Sequence, residues 1–337
     1  MRAGAGGLRR LWRRENGWLD GLFRTALLPA EGLYGSVICV RNRFYDRGVF
    51  GAVRSPIPVI SVGNLAVGGT GKTPFSAWLV SQLSESGRRP ALVTRGYGSD
   101  EVRLHASWNP DALVVVDRRR AGGVAHAAEM GADVAVLDDG FQHRRLWRDI
   151  DIVLIAAEHG TRNALLPRGP FREPIGALAR AHVILVTRKT ADTSESVQVE
   201  AEIGAAASRA VLGRIRFRVC GWTDLKGSPA EKPKGDVLVV SSIAEPESFL
   251  EMVRSEGLGP AEAFAFRDHH EFTEADVARI RVLARQRDLV TTEKDAVKLS
   301  RFSDMLPDAY VLRIQPEWES GQDEVMALIH GVLGEER

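Results

Sequence analysis

A glycine-rich turn between an apolar strand and an amphipathic helix constrains this chain more than any other feature. Residues 61–74 read Ser-Val-Gly-Asn-Leu-Ala-Val-Gly-Gly-Thr-Gly-Lys-Thr-Pro. Glycines let successive backbone N–H groups face one anion, and the N-terminal end of the following helix adds positive potential. The pattern predicts a phosphate-binding loop, although Ala66 stands where the strict motif G-x-x-x-x-G-K-[ST] has Gly. A simple glycine-rich turn is the alternative interpretation.

Each side chain of this loop has a role that its position predicts. Lys72 is expected to reach the β- and γ-phosphates of a nucleotide, and the hydroxyl of Thr73 is expected to bind Mg²⁺. The backbone around the phosphates is predicted to come from Gly68, Gly69, Thr70 and Gly71.

Two adjacent carboxylates end a second apolar strand, which is predicted over 134–138. A P-loop enzyme needs an acid at the end of a neighbouring strand to hold Mg²⁺ directly or through water. Asp138 occupies that position, and Asp139 is expected to assist it or to orient water. Two buried carboxylates repel each other unless a cation compensates them, which favours a metal site. Alone, the same residues would also fit an Asp-Asp-Gly turn.

Short apolar runs alternate with helical patterns along the chain, which predicts an α/β fold of the P-loop NTPase type with a mainly parallel sheet. Strands are predicted over 59–62, 91–94, 113–116, 134–138, 150–155, 183–187, 237–241, 261–266, 289–292 and 310–314. In such sheets ligands bind at the carboxyl ends of the strands, and the candidate residues fall there.

Composition along the chain predicts its division into domains. Residues 222–236 are polar and rich in Pro, Gly and Lys, which is typical of a linker. We expect an N-terminal amphipathic segment over 1–45, a P-loop domain over 46–221 and a smaller α/β domain over 237–337.

Charge and cysteine content exclude several classes of protein. With 45 basic and 44 acidic residues, the net charge of +1 gives no sign of a nucleic-acid partner. Cys39 and Cys220 are too few for a disulfide framework and match no metal-binding spacing, which indicates a reducing compartment. Nothing in the sequence indicates an obligate protein partner.

Arginines and aromatic residues concentrate at the N-terminus. Five arginines lie within residues 2–14, ahead of an apolar and aromatic stretch over 18–45. The longest uncharged run in that stretch, over 32–40, has nine residues, fewer than the roughly 20 that span a bilayer. Apolar residues recur there at helical spacing, which fits a helix lying in a membrane surface and equally a helix packed on the core.

Several motifs together resemble one known family. Residues 63–74, Arg95-Gly-Tyr-Gly98 and Asp138-Asp-Gly-Phe-Gln-His143 are similar to segments of tetraacyldisaccharide 4′-kinases. Further segments over 166–174, 268–273 and 291–295 match the family's downstream motifs in the same order. The resemblance covers the chain from about residue 25 to residue 300.

This resemblance implies an activity and a location. The family uses ATP and Mg²⁺ to phosphorylate the 4′-hydroxyl of tetraacyl-disaccharide 1-phosphate, a lipid A precursor. It implies peripheral contact with the cytoplasmic face of the bacterial inner membrane, and a nucleotide between the P-loop domain and the smaller domain.

The resemblance also implies roles for individual residues. Asp100, in Ser99-Asp-Glu-Val102, is the nearest match to the family's catalytic aspartate, and His269 matches the histidine that partners it. Whether Asp100 or Asp139 takes the hydroxyl proton stays open. Glu173 matches an acid that helps to bind the metal. Arg95 and Arg172 are expected to contact phosphates of the nucleotide or the lipid, although they could also be solvent-exposed arginines. Lys294 and Asp295 are expected to contact the nucleotide base.

Two other functions are compatible with a P-loop. A regulatory NTPase or GTPase, or a metallochaperone, would be expected to show switch-like segments or Cys/His clusters, and this sequence has neither. A small-molecule kinase would not need the amphipathic N-terminus.

Overall fold

One eleven-stranded sheet runs through the computed structural model, which describes residues 12, 18–96, 99–161 and 164–334. Its strands follow the order β3-β2-β4-β1-β5-β6-β7-β11-β10-β8-β9. Their bounds are β1 Val59–Asn64, β2 Pro90–Thr94, β3 Leu113–Val116, β4 Val134–Asp138, β5 Ile150–Ala156, β6 Val183–Arg188, β7 Val211–Asp224, β8 Val237–Ser241, β9 Ala261–Ala265, β10 Asp288–Thr292 and β11 Ala309–Ser320. The predicted mainly parallel α/β fold is confirmed.

Strands β1 to β6 are parallel to their neighbours, and the central ones are buried along their whole length. Their nearly continuous apolar sequences suit a sheet that helices cover on both faces. Strand β1 lies between β4 and β5. Because parallel strands end at the same edge, the glycine-rich loop after β1 lies beside the acidic pair at the end of β4.

Strand β7 joins the two halves of the sheet, and the sequence predictions missed it. It pairs in parallel with β6 and antiparallel with β11. Its arginines alternate with apolar residues: Ile215 and Phe217 are buried, whereas Arg216 is exposed. This period of two was the available signal. Since β7 extends to Asp224, the linker predicted over 222–236 begins inside a strand.

Helices cover both faces of the sheet. Their bounds are α1 Trp18–Ala26, α2 Leu28–Asp46, α3 Lys72–Glu85, α4 Ser99–Trp108, α5 Arg120–Glu129, α6 Thr193–Ala206, α7 Pro246–Ser255, α8 Glu274–Ala284, α9 Glu293–Leu299 and α10 Gln322–Gly334. Helices α4, α6 and α9 were not predicted. Helix α4 has a polar sequence, SDEVRLHASW, with few large apolar residues, so it does not stand out as a core-facing helix.

The C-terminal helix α10 returns to the first half of the sheet. Val325 and Ile329 of α10 belong to the same apolar core as Phe75 and Leu79 of α3. The predicted division into domains over 46–221 and 237–337 stays a prediction. The structure adds that the end of the second range packs on the first half.

Candidate active site

The loop after β1 has a backbone shape that requires glycine. Gly71 has a φ of +84°, and a Cβ built there would lie 2.2 Å from two atoms of the Phe217 ring. Gly68 also lies in the left-handed region, with a φ of +144°. Helix α3 begins at Lys72, directly after this turn, so its free N–H groups face the loop. This is the arrangement that the sequence predicts for a phosphate-binding loop.

Side chains at the ends of β6 and β1 donate hydrogen bonds to this loop. The hydroxyl of Thr187 donates to the carbonyl oxygen of Thr70 at 3.1 Å, and Lys189 Nζ donates to the carbonyl oxygen of Gly69. Asn64 Nδ2 donates to Thr70 Oγ1 at 2.9 Å. The first two contacts satisfy carbonyl groups of the loop. Within the loop, the N–H of Thr70 donates to the carbonyl oxygen of Gly68 at 3.1 Å.

The carboxylate of Asp138 lies below the loop. Its oxygens are 3.4 Å from Thr73 Oγ1, from Ser76 Oγ and from His105 Nε2. Burial raises the pKa of Asp138, but the hydrogen bond from His105 and the charge of Lys72 outweigh it and lower that pKa. Asp138 is therefore ionised, as a metal ligand must be.

Asp139 is paired with two cations. Arg172 Nη1 donates to both of its carboxylate oxygens at 2.9 Å, and Lys72 Nζ lies 3.6 Å away. Burial raises the pKa of Asp139, but the charges of Lys72 and Arg172 lower it to about 2. The two cations predicted to bind phosphate thus share one carboxylate.

Asp100 and His269 come together from distant parts of the chain. Asp100 lies in the first turn of α4 and is 2% exposed, and its Oδ2 is 3.5 Å from His269 Nδ1. Burial raises the pKa of Asp100, but the contact with His269 and the charges of Lys294 and Lys298 lower it to about 2. The same contact with Asp100 raises the pKa of His269.

The backbone of this region is unusual as well. His269 has a φ of +57° and Asp139 a φ of +55°, in the left-handed region that residues other than glycine seldom adopt. Strained positions of this kind concentrate at functional sites.

A cavity of about 900 Å³ brings these groups together. Its wall includes predicted site residues from the loop after β1, the end of β4 and the second half of the sheet: Gly68, Gly69, Thr70, Gly71, Lys72, Thr73, Arg95, Asp138, Asp139, Arg172, His269 and Lys294. Asp100 lies directly behind His269. The size suits a nucleotide with part of a second substrate.

Lys294 and Glu293 line the side of the cavity opposite the loop. Lys294 Nζ donates to His269 Nε2 at 3.2 Å and lies 3.4 Å from Glu101 Oε1. Glu293 accepts a hydrogen bond of 2.6 Å from Trp108 Nε1, and burial raises its pKa. A polar edge against an aromatic side chain suits a heterocyclic base, the contact predicted for Lys294.

The structure does not bring Asp295 to the cavity. Its carboxylate is buried, accepts a hydrogen bond of 2.8 Å from the backbone N–H of Ser242, and lies 3.0 Å from Lys298 Nζ. The backbone N–H of Asp295 donates to Thr292 Oγ1 at 3.0 Å. These internal partners leave no oxygen for a nucleotide base, so the predicted contact is not supported.

Glu173 is likewise placed away from the cavity. Its fully buried carboxylate lies 2.8 Å from Asn42 Nδ2, 2.8 Å from Arg180 Nη2 and 3.3 Å from Arg41 Nη2. Two arginines and an amide occupy both oxygens. The metal-binding role predicted for Glu173 is therefore not supported, and its observed contacts join α2 to the loop before β6.

Sequence reasoning missed Arg120 and His105. Arg120 is 1% exposed, lines the cavity and donates from Nη2 to the carbonyl oxygen of Asp138 at 2.6 Å. Burial lowers the pKa of Arg120 to about 10, which leaves it charged at neutral pH. His105 reaches Asp138 from α4. Neither residue stands in a local motif, so no sequence signal pointed to them.

Within the described ranges, no group of three or more His, Cys, Asp or Glu residues could hold a metal ion by itself. A hydroxyl and one or two carboxylates remain, from Thr73, Asp138 and Asp139. Mg²⁺ is usually bound in this way, because it keeps several waters and takes further oxygens from substrate phosphates.

The fold and the cavity together define a P-loop nucleotide-binding protein with the basic and acidic groups of a phosphotransferase. A family model described as tetraacyldisaccharide-1-P 4′-kinase matches residues 23–106 and 99–333. The chain belongs to this kinase family, which does not favour a regulatory NTPase or a metallochaperone.

Individual relatives agree with this assignment. The chain is 39% identical to the tetraacyldisaccharide 4′-kinase of Halorhodospira halophila, over 94% of this chain and 95% of that protein. It is 36% identical to the enzyme of the same name from Chlorobaculum parvum, over 91% and 94%. The crystal structure of the "apo" form of LpxK from Aquifex aeolicus in complex with ATP is similar, with a TM-score of 0.74, 26% identity and coverage of 92% and 99%.

Proposed function

We propose that the chain transfers the γ-phosphoryl group of ATP to the 4′-hydroxyl of tetraacyl-disaccharide 1-phosphate, a step of lipid A biosynthesis. One observation carries the proposal: the glycine-rich loop, the ionised Asp138 and His269 border one cavity of about 900 Å³, and Asp100 lies behind His269, 3.5 Å from its Nδ1. Phosphoryl transfer depends chiefly on positioning and charge stabilisation, and this cavity supplies fixed amides, cations and a carboxylate.

The nucleotide phosphates fit the loop between Gly68 and Thr73. Lys72 Nζ lies 3.6 Å from Asp139 Oδ1 and would instead contact the phosphate oxygens of a bound nucleotide. Thr73 and Asp138 suit Mg²⁺ because their oxygens are 3.4 Å apart and belong to the hydroxyl and carboxylate classes that it prefers. When bound there, Mg²⁺ would neutralise negative charge on the phosphates.

Asp100 is the better candidate for accepting the hydroxyl proton. Both oxygens of Asp139 are bound by Arg172, whereas among the described residues neither oxygen of Asp100 accepts a hydrogen bond. As the oxygen of the 4′-hydroxyl bonds to the γ-phosphorus, its proton passes to Asp100 and the bond from that phosphorus to ADP breaks. His269 would orient the carboxylate.

Helix α2 supports peripheral membrane contact. Tyr34, Ile38 and Arg41 line the cavity on one face of the helix. Large apolar side chains on its other face are exposed, at the helical spacing of Leu33, Val37, Val40 and Phe44. No helix in the described part of the chain has the length and hydropathy to cross a bilayer. A helix of this kind would lie in the membrane surface and bring the cavity to a substrate whose acyl chains remain there.

A transfer assay tests the activity. Purified protein is incubated with γ-labelled ATP, Mg²⁺ and the lipid in detergent micelles, and the label should appear in the lipid. Lys72→Ala and Asp138→Ala should each reduce turnover by at least about 100-fold, because each removes a charge that stabilises the transferred group. Lys232→Ala is the control, since that exposed lysine donates to the carbonyl oxygen of Glu256 at 2.8 Å and is not among the described residues that line the cavity. Near-normal turnover in either active-site variant would contradict the proposed phosphate site.

Vesicle sedimentation tests the membrane contact separately. The double variant Val37→Glu with Val40→Glu should bind anionic vesicles at least about tenfold more weakly, because it places two charges on the apolar face. Val282→Glu is the matched control, because Val282 is 75% exposed on α8. Equal binding of both variants would refute the role of α2, and ATP affinity should not change in either.

A further inference from the structure

A buried lysine lies behind the Asp100–His269 pair. Lys298 of α9 is 4% exposed, and its Nζ is 3.7 Å from Asp100 Oδ2 and 3.0 Å from Asp295 Oδ1. Its ammonium group also donates to Ser242 Oγ at 2.6 Å and to the carbonyl oxygen of His270 at 3.0 Å. We propose that Lys298 is a positioning residue that fixes both members of the pair, an inference that rests on the proposed function of Asp100.

The charge of Lys298 acts on the carboxylate of Asp100. A buried carboxylate needs a compensating cation, and the carboxylate of Asp100 accepts no hydrogen bond from the part of the chain that the structure describes. The cations that face it are His269, Lys294 and Lys298. Of these, His269 and Lys294 border the cavity. Lys298 lies outside the cavity wall, so substrates that enter and leave do not disturb it.

Lys298 acts on His269 indirectly, by hydrogen bonds that fix the neighbouring backbone. The N–H of His269 donates to the carbonyl oxygen of Ser242 at 3.1 Å, and Lys298 binds the carbonyl oxygen of the next residue, His270. Ser242 is in turn held by Asp295 through its N–H and its hydroxyl. A left-handed residue such as His269 keeps its φ of +57° only where its surroundings enforce it, and these bonds do so.

Charge balance distinguishes this arrangement from a simple buried ion pair. Asp295 alone would neutralise Lys298, yet the ammonium group lies between two carboxylates. The other ionisable groups nearby are Asp268, whose Oδ1 lies 3.9 Å from His269 Nε2, and two residues of α4, of which Glu101 also lies 4.0 Å from His269 Nε2. Glu101 faces Lys294, and His105 faces Asp138. Lys298 is therefore the buried cation that connects the carboxylate of Asp100 to the segment that carries His269.

A double-mutant cycle tests the proposal. In Lys298→Met, kcat should fall on the order of ten- to hundred-fold while KM for ATP stays within about twofold, because a positioned base contributes about 10²–10⁴ and only part of that is lost. Asp100→Asn should lower kcat further. The double variant should equal Asp100→Asn alone, since Lys298 acts through that carboxylate. Arg214→Met is the control, because it removes a partly buried cation that pairs with Glu200 away from the cavity.

The pH profile gives a second readout. An opposite charge within about 4–6 Å lowers a carboxyl pKa by roughly 1–3 units, so Lys298→Met should move the acid limb of kcat/KM upward by a similar amount. Additive losses in the double variant, with an unchanged acid limb, would assign Lys298 a purely structural role and overturn the inference. Near-normal kcat in Asp100→Asn would instead refute the proposed base.

Ser242→Ala covers the case in which Lys298→Met does not fold. This small change removes one ligand of the ammonium group and one of Asp295. We expect kcat to fall several-fold with unchanged KM for ATP, and the effect to vanish in the Asp100→Asn background. A loss that persists in that background would contradict the proposal.

Discussion

Replacing Gly71 by alanine tests whether nucleotide binding depends on the backbone shape of the loop after β1. The new Cβ would lie 2.2 Å from Cε2 and Cζ of Phe217, where carbon atoms ordinarily stay about 3.5–4.0 Å apart. Phe217 is buried against β11 and belongs to the core under α3. The loop must therefore move, or the ring must displace its neighbours.

The cost follows from two contributions. A residue with a side chain loses roughly 1–2 kcal/mol at a φ such as +84°. Inserting a methyl group into a packed core costs typically about 1–3 kcal/mol. The sum is about 2–5 kcal/mol. If only about 2 kcal/mol of it opposes the nucleotide-binding shape, ATP affinity falls roughly 30-fold, since about 1.4 kcal/mol is a factor of ten.

Gly87→Ala is the matched control. Gly87 has a φ of +80°, but a Cβ built there meets nothing within 4 Å, and the residue does not line the cavity. Calorimetric titration with ATP and Mg²⁺, and urea unfolding, are measured for both variants. Gly87→Ala should lose about 1 kcal/mol of stability by backbone strain and bind ATP normally. Wild-type ATP affinity in Gly71→Ala would refute the reasoning.

Three further predictions concern the acidic residues. Chelation of Mg²⁺ should abolish transfer and added Mg²⁺ should restore it; transfer in excess chelator would contradict the site at Thr73 and Asp138. The Asp139 pKa is held at about 2, against 3.8 for an unperturbed aspartate, so its ionised form stabilises the fold above pH 3.8 and this contribution is lost as the pH falls to 2. Unfolding free energies of wild type and Asp139→Asn should therefore converge over that interval, and a constant difference would count against the Lys72 and Arg172 contacts. Glu173→Gln should cost roughly 3–5 kcal/mol of stability, because it leaves Arg180 without its carboxylate, and should leave Mg²⁺ affinity within about twofold; a tenfold weaker Mg²⁺ affinity would restore the metal role.

The loop and the acidic pair could be predicted because their chemistry is local. Phosphate binding needs glycines, a lysine and a hydroxyl in consecutive positions, and strand β4 ends where its apolar run ends. The parallel sheet then brings Asp138 under the loop without any further information. The family resemblance predicted the pairing of Asp100 with His269. These residues lie in α4 and in the segment between β9 and α8, far apart in the sequence.

Side-chain partners from distant segments could not be predicted. Glu173 has the chemistry of a metal ligand, but Arg41 and Asn42 of α2 and Arg180 cover its oxygens. Asp295 stands beside Lys294 in sequence, yet the turn into α9 directs it to Ser242 in the core. In both cases the folded chain buries the carboxylate among internal partners, and a short sequence motif does not show which side chains become buried.

The most direct measurement is a crystal structure with a non-hydrolysable ATP analogue and Mg²⁺. The account predicts triphosphate density against the amides between Gly68 and Thr73, with the ion between Thr73 and Asp138 and with Lys72 moved from Asp139 to the phosphates. Density for the analogue elsewhere, with this loop empty and Lys72 still 3.6 Å from Asp139, would contradict it.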